Sequence, residues 1–294
     1  MTPARRFWLR LHRWAGIVMA LPLILTALTG SILAFYVELE RAINPQRFPA
    51  HAGAKRLGAA PLIEHAQRHV PQAKIKNVYL LGNADATYVM LEPRVDPVTG
   101  KKFHLDFDQL FLDPYTGAEL ERSRMSDLSI TTNNVMNVVY KLHYTLLLKD
   151  IGVLVLGIIG VVWTIDSFIG FYLTLPRKFP KGWRIAWLIK WPASATRINF
   201  DIHRAFGLWF WIVLLMFAWS SVYMNLWDSV YTKVTRVFFE YHVPWTDLPL
   251  LQKPIAEPKL DWPNAAKIGE RLLAEQARQH GFNILQPVYL RLHR

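Results

Sequence analysis

Three stretches of this chain are long enough and apolar enough to cross a bilayer, and that constrains its fold more than any other feature. Trp14 to Val37 carries no charge between Arg13 and Glu38. Ile151 to Leu175 holds a single acid, Asp166, and Ala205 to Trp227 is uncharged between Arg204 and Asp228. A span needs roughly 20 such residues. Inside hydrocarbon each backbone N–H and C=O must be satisfied within its own segment, so the three runs are expected to be helices. Arg5, Arg6, Arg10 and Arg13 precede the first run as they would in a signal peptide. A cleavable apolar core covers only about 7–15 residues, so this run reads as an uncleaved anchor.

Composition narrows the class. The chain has 294 residues, is 52% hydrophobic, and carries 12 Trp with a net charge of +12. That much Trp between uncharged runs argues against nucleic acid as the partner. The absence of Cys excludes thiolate zinc, iron–sulfur clusters and CxxCH haem attachment, and any domain outside the cytoplasm must fold without disulfides. Basic residues in short flanks mark the cytoplasmic side. The N-terminus carries four Arg before the first run. The loop 176–204 carries Arg177, Lys178, Lys181, Arg184, Lys190, Arg197 and Arg204 against Asp201. The expected order is a cytoplasmic N-terminus (1–13), a first span (14–37), an extracytoplasmic domain (38–149), a second span (150–175), a cytoplasmic basic and Trp-rich loop (176–204), a third span (205–227), and an extracytoplasmic tail (228–294). Trp183, Trp187 and Trp191 recur every four residues, as in a short helix lying among headgroups, and Tyr223, Trp227 and Tyr231 form a second interfacial anchor.

Residues 38–149 read as a small α+β domain. Leu62, Ile63, Ala66 and Val70 share one helical face over Gly58 to Val70. Lys76 to Leu91 reads as two strands around a Gly82-Asn83 turn, and Lys102 to Leu112 alternates as a strand. Asp96-Pro97-Val98-Thr99-Gly100 and Asp113-Pro114-Tyr115-Thr116-Gly117 are two copies of one turn motif.

The chain also repeats itself. His12-Arg13-Trp14-Ala15-Gly16 and His203-Arg204-Ala205-Phe206-Gly207 are one word, H-R-x-x-G, each at the cytoplasmic mouth of a span. Downstream, Ala66-Gln67-Arg68-His69 with Val78-Tyr79-Leu80 is echoed by Ala277-Arg278-Gln279-His280 with Val288-Tyr289-Leu290. The expected fold is an α-helical integral membrane protein with three transmembrane helices, four for the full repeat, a small extracytoplasmic α+β domain and a partial second copy. Truncation before a fourth helix is expected, because a lone helix and strand cannot bury a core.

The repeat selects the candidate site. A single interfacial His commonly snorkels among lipid phosphates. Two imidazoles at one depth can hold a haem iron from both sides, so His12 and His203 are the candidate metal ligands. Arg13 and Arg204 follow them, placed to pair with haem propionates. Gly16 and Gly207 would let a helix or a flat macrocycle approach the backbone. His143, in Tyr140-Lys141-Leu142-His143-Tyr144, stands at the other face as half of a second site. Its mate would lie on the missing fourth helix, and His242 and His293 are substitutes that do not match the repeat. Asp166 lies ~15 Å of helical rise from Pro176, near mid-membrane. A proton relay, a bond to a ligand His, or a neutral acid bonded to Thr164 or a backbone carbonyl are all open for it. His51, His65, His69, His104 and His280 have no ligand spacing and read as surface. No nucleotide, dinucleotide or common hydrolase motif occurs.

Leu11-His12-Arg13-Trp14-Ala15-Gly16, Leu142-His143-Tyr144, His203-Arg204-Ala205-Phe206-Gly207 and the Asp113–Gly117 turn together resemble the PepSY-associated transmembrane family. The resemblance implies PepSY-like domains in the periplasm and a multi-pass bacterial inner-membrane protein. It implies a b-type haem protein of the ferrioxamine-reductase type, with two haems in the complete protein. Such a protein takes electrons from a donor on the cytoplasmic side or in the membrane and reduces a periplasmic ferric siderophore, releasing Fe(II). His12 and His203 would then hold the cytoplasmic-side haem, and His143 the outer one. The alternative is a membrane-anchored PepSY binding or inhibitory module without redox activity. A permease is the third reading, which three helices and one buried charge fit poorly.

Overall fold

The computed structural model describes residues 2–80, 86–176, 180, 182–241, 260–284 and 289–291. In chain order its elements are α1 (Pro3–Leu33), α2 (Tyr36–Ile43), α3 (Ala59–His69), β1 (Ala73–Tyr79), β2 (Tyr88–Pro93), β3 (Gln109–Leu112), β4 (Glu119–Ser123), α4 (Val135–Thr145), α5 (Lys149–Thr174), α6 (Ala195–Trp209), α7 (Trp211–Asn225), α8 (Thr232–Thr235), α9 (Trp262–His280) and β5 (Tyr289–Arg291). They form two compact units, residues 1–30 with 141–242 and residues 31–140 with 243–294.

The first unit is helical. α1 and α5 each have the length and apolar character of a membrane span, with mean hydropathy 2.1. Arg5 ties them at one end, donating to the carbonyls of Leu173 (2.6 Å) and Leu175 (2.9 Å) where α5 runs out of its own donors. α5 and α7 close on small residues. A Cβ at Gly157 would overlap the Leu226 side chain, and one at Gly160 would lie 3.1 Å from Ser221. Without a hydrophobic drive between helices in lipid, such close backbone approach is what holds them.

The third apolar run is not one straight helix. α6 begins at Ala195, capped by Ser194, and meets α7 at a 71° bend around Phe210. The Trp211 indole donates to the Ser167 carbonyl (2.9 Å) and packs on Phe168 and Phe171, which pins the start of α7 to α5. The described chain therefore has two spans, or three if the bent pair is one.

The Trp-rich loop also departs from its helical periodicity. Trp183–Trp187 is a 3₁₀ turn, and the chain is extended at Leu188, so Trp191 leaves the line. Buried Asp201 organises this stretch by accepting from Lys190 N and Arg197 and by pairing ionically with Arg204. The rings of Tyr223, Trp227 and Tyr231 contact one another across a π turn.

The second unit is an antiparallel sheet in the order β4-β3-β2-β1-β5 with α3 and α9 against it. Leu62, Ile63 and Ala66 of α3 share a core with Val78, Val89, Leu91, Leu110 and Leu112. A bulge between Ile75 and Asn77 shifts the alternation of β1, so that Ile75 and Val78 both face that core. The expected strand over 102–112 shortens to β3, with only Lys102 bridged to Val95 earlier in it. The Gly82-Asn83 turn and Val288 lie outside the described residues. Both D-P-x-T-G motifs are turns: Asp96 accepts from Val98 N, and Asp113 accepts from Tyr115 N and Thr116 N. Gly117 has φ +72°, and a Cβ there would overlap the His65 ring.

The second repeat copy does not stand apart. α9 packs against α3, and β5 pairs with β1. Trp262 donates to the Ile75 carbonyl (3.1 Å), and Ala266 enters the core cluster. A helix and strand that cannot bury a core alone are accommodated on the core of the first copy.

Candidate functional site

α1 carries a histidine site near each of its ends. His12 stands on its N-terminal part, and the ring of His203 from α6 lies 6.1 Å away, centroid to centroid, at 54°. The repeated word therefore brings its two imidazoles together. Two imidazoles bound to one ion from opposite sides, with N–metal bonds of about 2 Å, have centroids roughly 6 Å apart.

Asp166 of α5 lies 3.0 Å and 2.9 Å, through its two carboxylate oxygens, from His12 Nδ1. Of the three roles open to it, the structure selects the bond to the histidine; Thr164 is engaged elsewhere, with Gly160 O. In the neutral ring, Nδ1–H donates to the carboxylate and Nε2 keeps its lone pair. Gly170, one turn further along α5, leaves room for the ring: a Cβ there would lie 3.3 Å from His12 Cε1.

His143 of α4 is held by the other end of α1. Its Nδ1 lies 3.0 Å from the Thr26 carbonyl and 3.1 Å from Thr29 Oγ1. A carbonyl only accepts, so Nδ1 carries a proton, and in the neutral ring Nε2 keeps its lone pair. The Thr29 hydroxyl spends its own proton on Leu25 O (2.7 Å) and so accepts from His143 as well. Gly30 makes the space, since a Cβ there would lie 3.0 Å from His143 Cε1. Beyond α4, Leu146 (φ 51°), Leu147 (φ 60°) and Lys149 (φ 54°) occupy the left-handed region that non-glycine residues avoid. This strained turn sets α4 against the start of α5, where Gly152 admits the Thr145 carbonyl.

The two sites are separated along α1. His12 and Thr29 are 17 positions apart, a rise of ~26 Å, close to the thickness of a bilayer's hydrocarbon core.

Other expected site residues fall differently. Arg204 gives its donors to Ile185 O, Ala186 O and Leu188 O and pairs with Asp201, so it clamps the Trp183–Trp187 turn, and a propionate would compete with those bonds. Arg13 is exposed. Among the described residues no other element comes within 4 Å of a Cβ at Gly16 or Gly207; in the helical unit the histidine rings lie instead against Gly30 and Gly170. His51 bonds Asp113 (2.9 Å) and His69 bonds Gly117 O (3.1 Å), so both brace the second D-P-x-T-G turn. Asp113 is buried, which raises its pKa, but the N–H groups of Tyr115 and Thr116 and the His51 contact outweigh this and hold it below the usual carboxylate value. His242 and His293 lie outside the described residues. Among the described residues no cluster of three or more His, Cys, Asp and Glu is placed to hold a bare metal ion. Thr26, Thr29, Gly30 and Gly170 had no signal in the sequence beyond being small residues in apolar helices.

Spans of this length, a small antiparallel sheet unit and imidazoles paired between helices define a helical membrane protein with an attached α+β domain. The chain belongs to the PepSY-associated TM family: the family model for the PepSY-associated TM region matches residues 9–288. Comparison with curated proteins returns no match.

Proposed function

We propose that this protein is a haem-containing inner-membrane reductase that passes electrons across the bilayer to a ferric siderophore in the periplasm, releasing Fe(II). One observation carries the reading. At both ends of α1 a histidine has its Nδ1–H committed to a fixed acceptor, Asp166 or Thr26 O, so that its neutral form offers Nε2 as a ligand. The donor set fits haem. Paired neutral imidazoles are its common axial ligands, and a macrocycle supplies the four equatorial nitrogens that the chain does not. His12 and His203 would hold one haem, and His143 would contribute to a second. When bound, such groups supply one-electron redox chemistry.

The chain's own residues do the rest. Asp166 holds the His12 ring and makes its Nε2 a stronger donor, and the Thr26 carbonyl does the same for His143. The ~26 Å rise along α1 is close to the thickness of the low-dielectric layer, so His12 with His203 and His143 would hold their groups towards its opposite faces. In this reading the first unit's basic flanks face the cytoplasm, and the donor delivers electrons there or within the membrane. The sheet unit lies in the periplasm as a PepSY-like domain. Reduction to Fe(II) weakens the siderophore's hard-oxygen chelate.

The test is a visible spectrum of the detergent-purified protein, oxidised and then dithionite-reduced. A sharp Soret band with split α/β bands on reduction is the expected result, with the His12/His203 share lost in His12→Ala and His203→Ala. A colourless preparation from haem-supplemented cells would overturn the reading and leave a membrane-anchored PepSY binding module.

A further inference from the structure

The D-P-x-T-G turn occurs twice in the sheet unit, and its two copies are held differently. In the first, the Asp96 carboxylate bonds within its own turn, to Val98 N and Thr99 Oγ1, and Val98 is 90% exposed. Local bonds are therefore enough to form this turn. The second copy has the same Asx bonds, from Tyr115 N and Thr116 N to Asp113, and several more. His51 bonds the Asp113 carboxylate (2.9 Å), His69 Nε2 lies 3.1 Å from Gly117 O, and the His65 ring occupies the space over Gly117. Leu57 N donates to the Pro114 carbonyl (2.7 Å), which ties the turn to the segment carrying Arg56. Bonds that the turn does not need for its own formation thus fix Pro114 and Tyr115 in place.

Pro114 and Tyr115 line a cavity of about 420 Å³, within the roughly 300–1,000 Å³ of small-molecule sites. Arg41, Arg47 and Arg56 line it too, and among the described residues no carboxylate does. The sign is particular to this cavity. A second one in the same unit, of about 300 Å³, mixes Arg122 and Arg124 with Asp106, Glu121 and Asp127. Arg47 is committed to Glu40 and Glu121, so its charge is matched within the fold. Arg56 Nη2 donates to Leu80 O (3.0 Å) and Thr87 Oγ1 (2.9 Å), and its guanidinium lies 6.0 Å from the Tyr115 ring centroid. Tyr115 in turn packs edge-on against His51. Arg41 lies 5.8 Å from the ring centroid of Phe48, another lining residue. These contacts order the side chains before any ligand arrives, which lowers the cost of binding one.

Guanidiniums match carboxylates and phosphates alike. The rest of the lining separates the two. Phosphate sites draw on backbone N–H groups, at helix N-termini or in nests. Here Pro45, Pro49 and Pro114 have no N–H to give. Their rings, with Phe48 and Tyr115, suit a carbon frame instead. We propose that this cavity binds a small organic anion bearing two or more carboxylates. Arg41 and Arg56 would each take one carboxylate, and the proline and aromatic rings would pack on the frame between them.

Citrate is the probe. Equilibrium dialysis of radiolabelled citrate against the full chain in phosphatidylcholine nanodiscs, with empty nanodiscs subtracted, should show saturable binding of one citrate per chain. Arg56→Gln and Arg41→Gln should each weaken it about tenfold or more, as loss of a hydrogen bond to a charged group does. Tyr115→Val, which copies the residue of the first turn, should weaken it as well. Inorganic phosphate at the same concentration should not displace the citrate. Absence of saturable binding, full affinity in all three variants, or displacement by equimolar phosphate would each overturn the proposal. If Arg56→Gln fails to fold, Arg41→Gln decides in its place, because Arg41 is exposed. The measurement needs neither haem nor reduction. A colourless protein that binds citrate therefore sinks the reductase reading alone, and a haem protein that does not bind it sinks this proposal alone.

Discussion

His12 and Asp166 are joined by a two-oxygen contact, with Nδ1 2.9 and 3.0 Å from the carboxylate. An acid 6% exposed within a helix of membrane-spanning length is costly unless something binds it, and here its partner is the repeated histidine.

Asp166→Ala should therefore weaken haem retention by about 10–100-fold, since outer-shell partners of a ligating imidazole typically contribute that much. Asp166→Asn keeps an acceptor for Nδ1–H and should lose less. Haem titration of the purified apoprotein, followed at the Soret band, checks both. Equal affinity in Asp166→Ala and wild type would remove Asp166 from the site.

Gly30→Leu tests the other end of α1. Its side chain would occupy the space of the His143 ring, because even a Cβ at this position would lie 3.0 Å from His143 Cε1. The expected outcome is loss of the His143 share of bound haem with the His12/His203 share retained. Pyridine haemochrome stoichiometry against protein concentration measures it. Loss of all haem would mean that the two sites are not independent.

Arg47 anchors the sheet unit. Its guanidinium is buried, pairs with Glu40 (3.1 Å) and Glu121 (2.6 Å), donates to Asn133 O and lies over the Phe111 ring. Arg47→Ala leaves two carboxylates without their cation and should cost about 3–5 kcal/mol. Arg47→Met with Glu40→Gln should recover part of this. Thermal unfolding followed by Trp fluorescence reads the loss.

Acid should loosen the second D-P-x-T-G turn. Asp113 is held below the ordinary aspartate value of 3.8; burial opposes this, and the Tyr115 and Thr116 N–H groups and His51 outweigh it. A depressed folded-state pKa stabilises the fold above the unfolded value, and that contribution disappears as pH falls through the folded one. Stability of the sheet unit should therefore fall below about pH 4, and Asp113→Asn should flatten that part of the profile while lowering stability at neutral pH. Chemical unfolding across pH 3–7 provides the comparison.

Much of this arrangement was legible in residue type and spacing. The uncharged runs around Trp14–Val37 and Ile151–Leu175 became α1 and α5 because hydrocarbon leaves the backbone little alternative. The helical face of Leu62, Ile63 and Ala66 and the two Asp-Pro turns followed from local chemistry. The repeated H-R-x-x-G located His12 and His203. Periodicity failed at Trp183, Trp187 and Trp191, where Asp201 and Arg204 fold the loop into a tight turn. It failed again at Phe210, where the Trp211–Ser167 bond supports a bend that no proline announces.

By itself, then, the sequence determined where the long apolar helices run, where the two Asp-Pro turns fall and which histidines are repeated, because those depend on near neighbours in the chain. Only the tertiary structure decided that Asp166 serves His12, that Thr26 and Thr29 orient His143, that Arg204 holds a loop, and that β5 completes the edge of β1. Each of these joins residues distant in sequence, and such contacts are selected by how whole helices and strands pack.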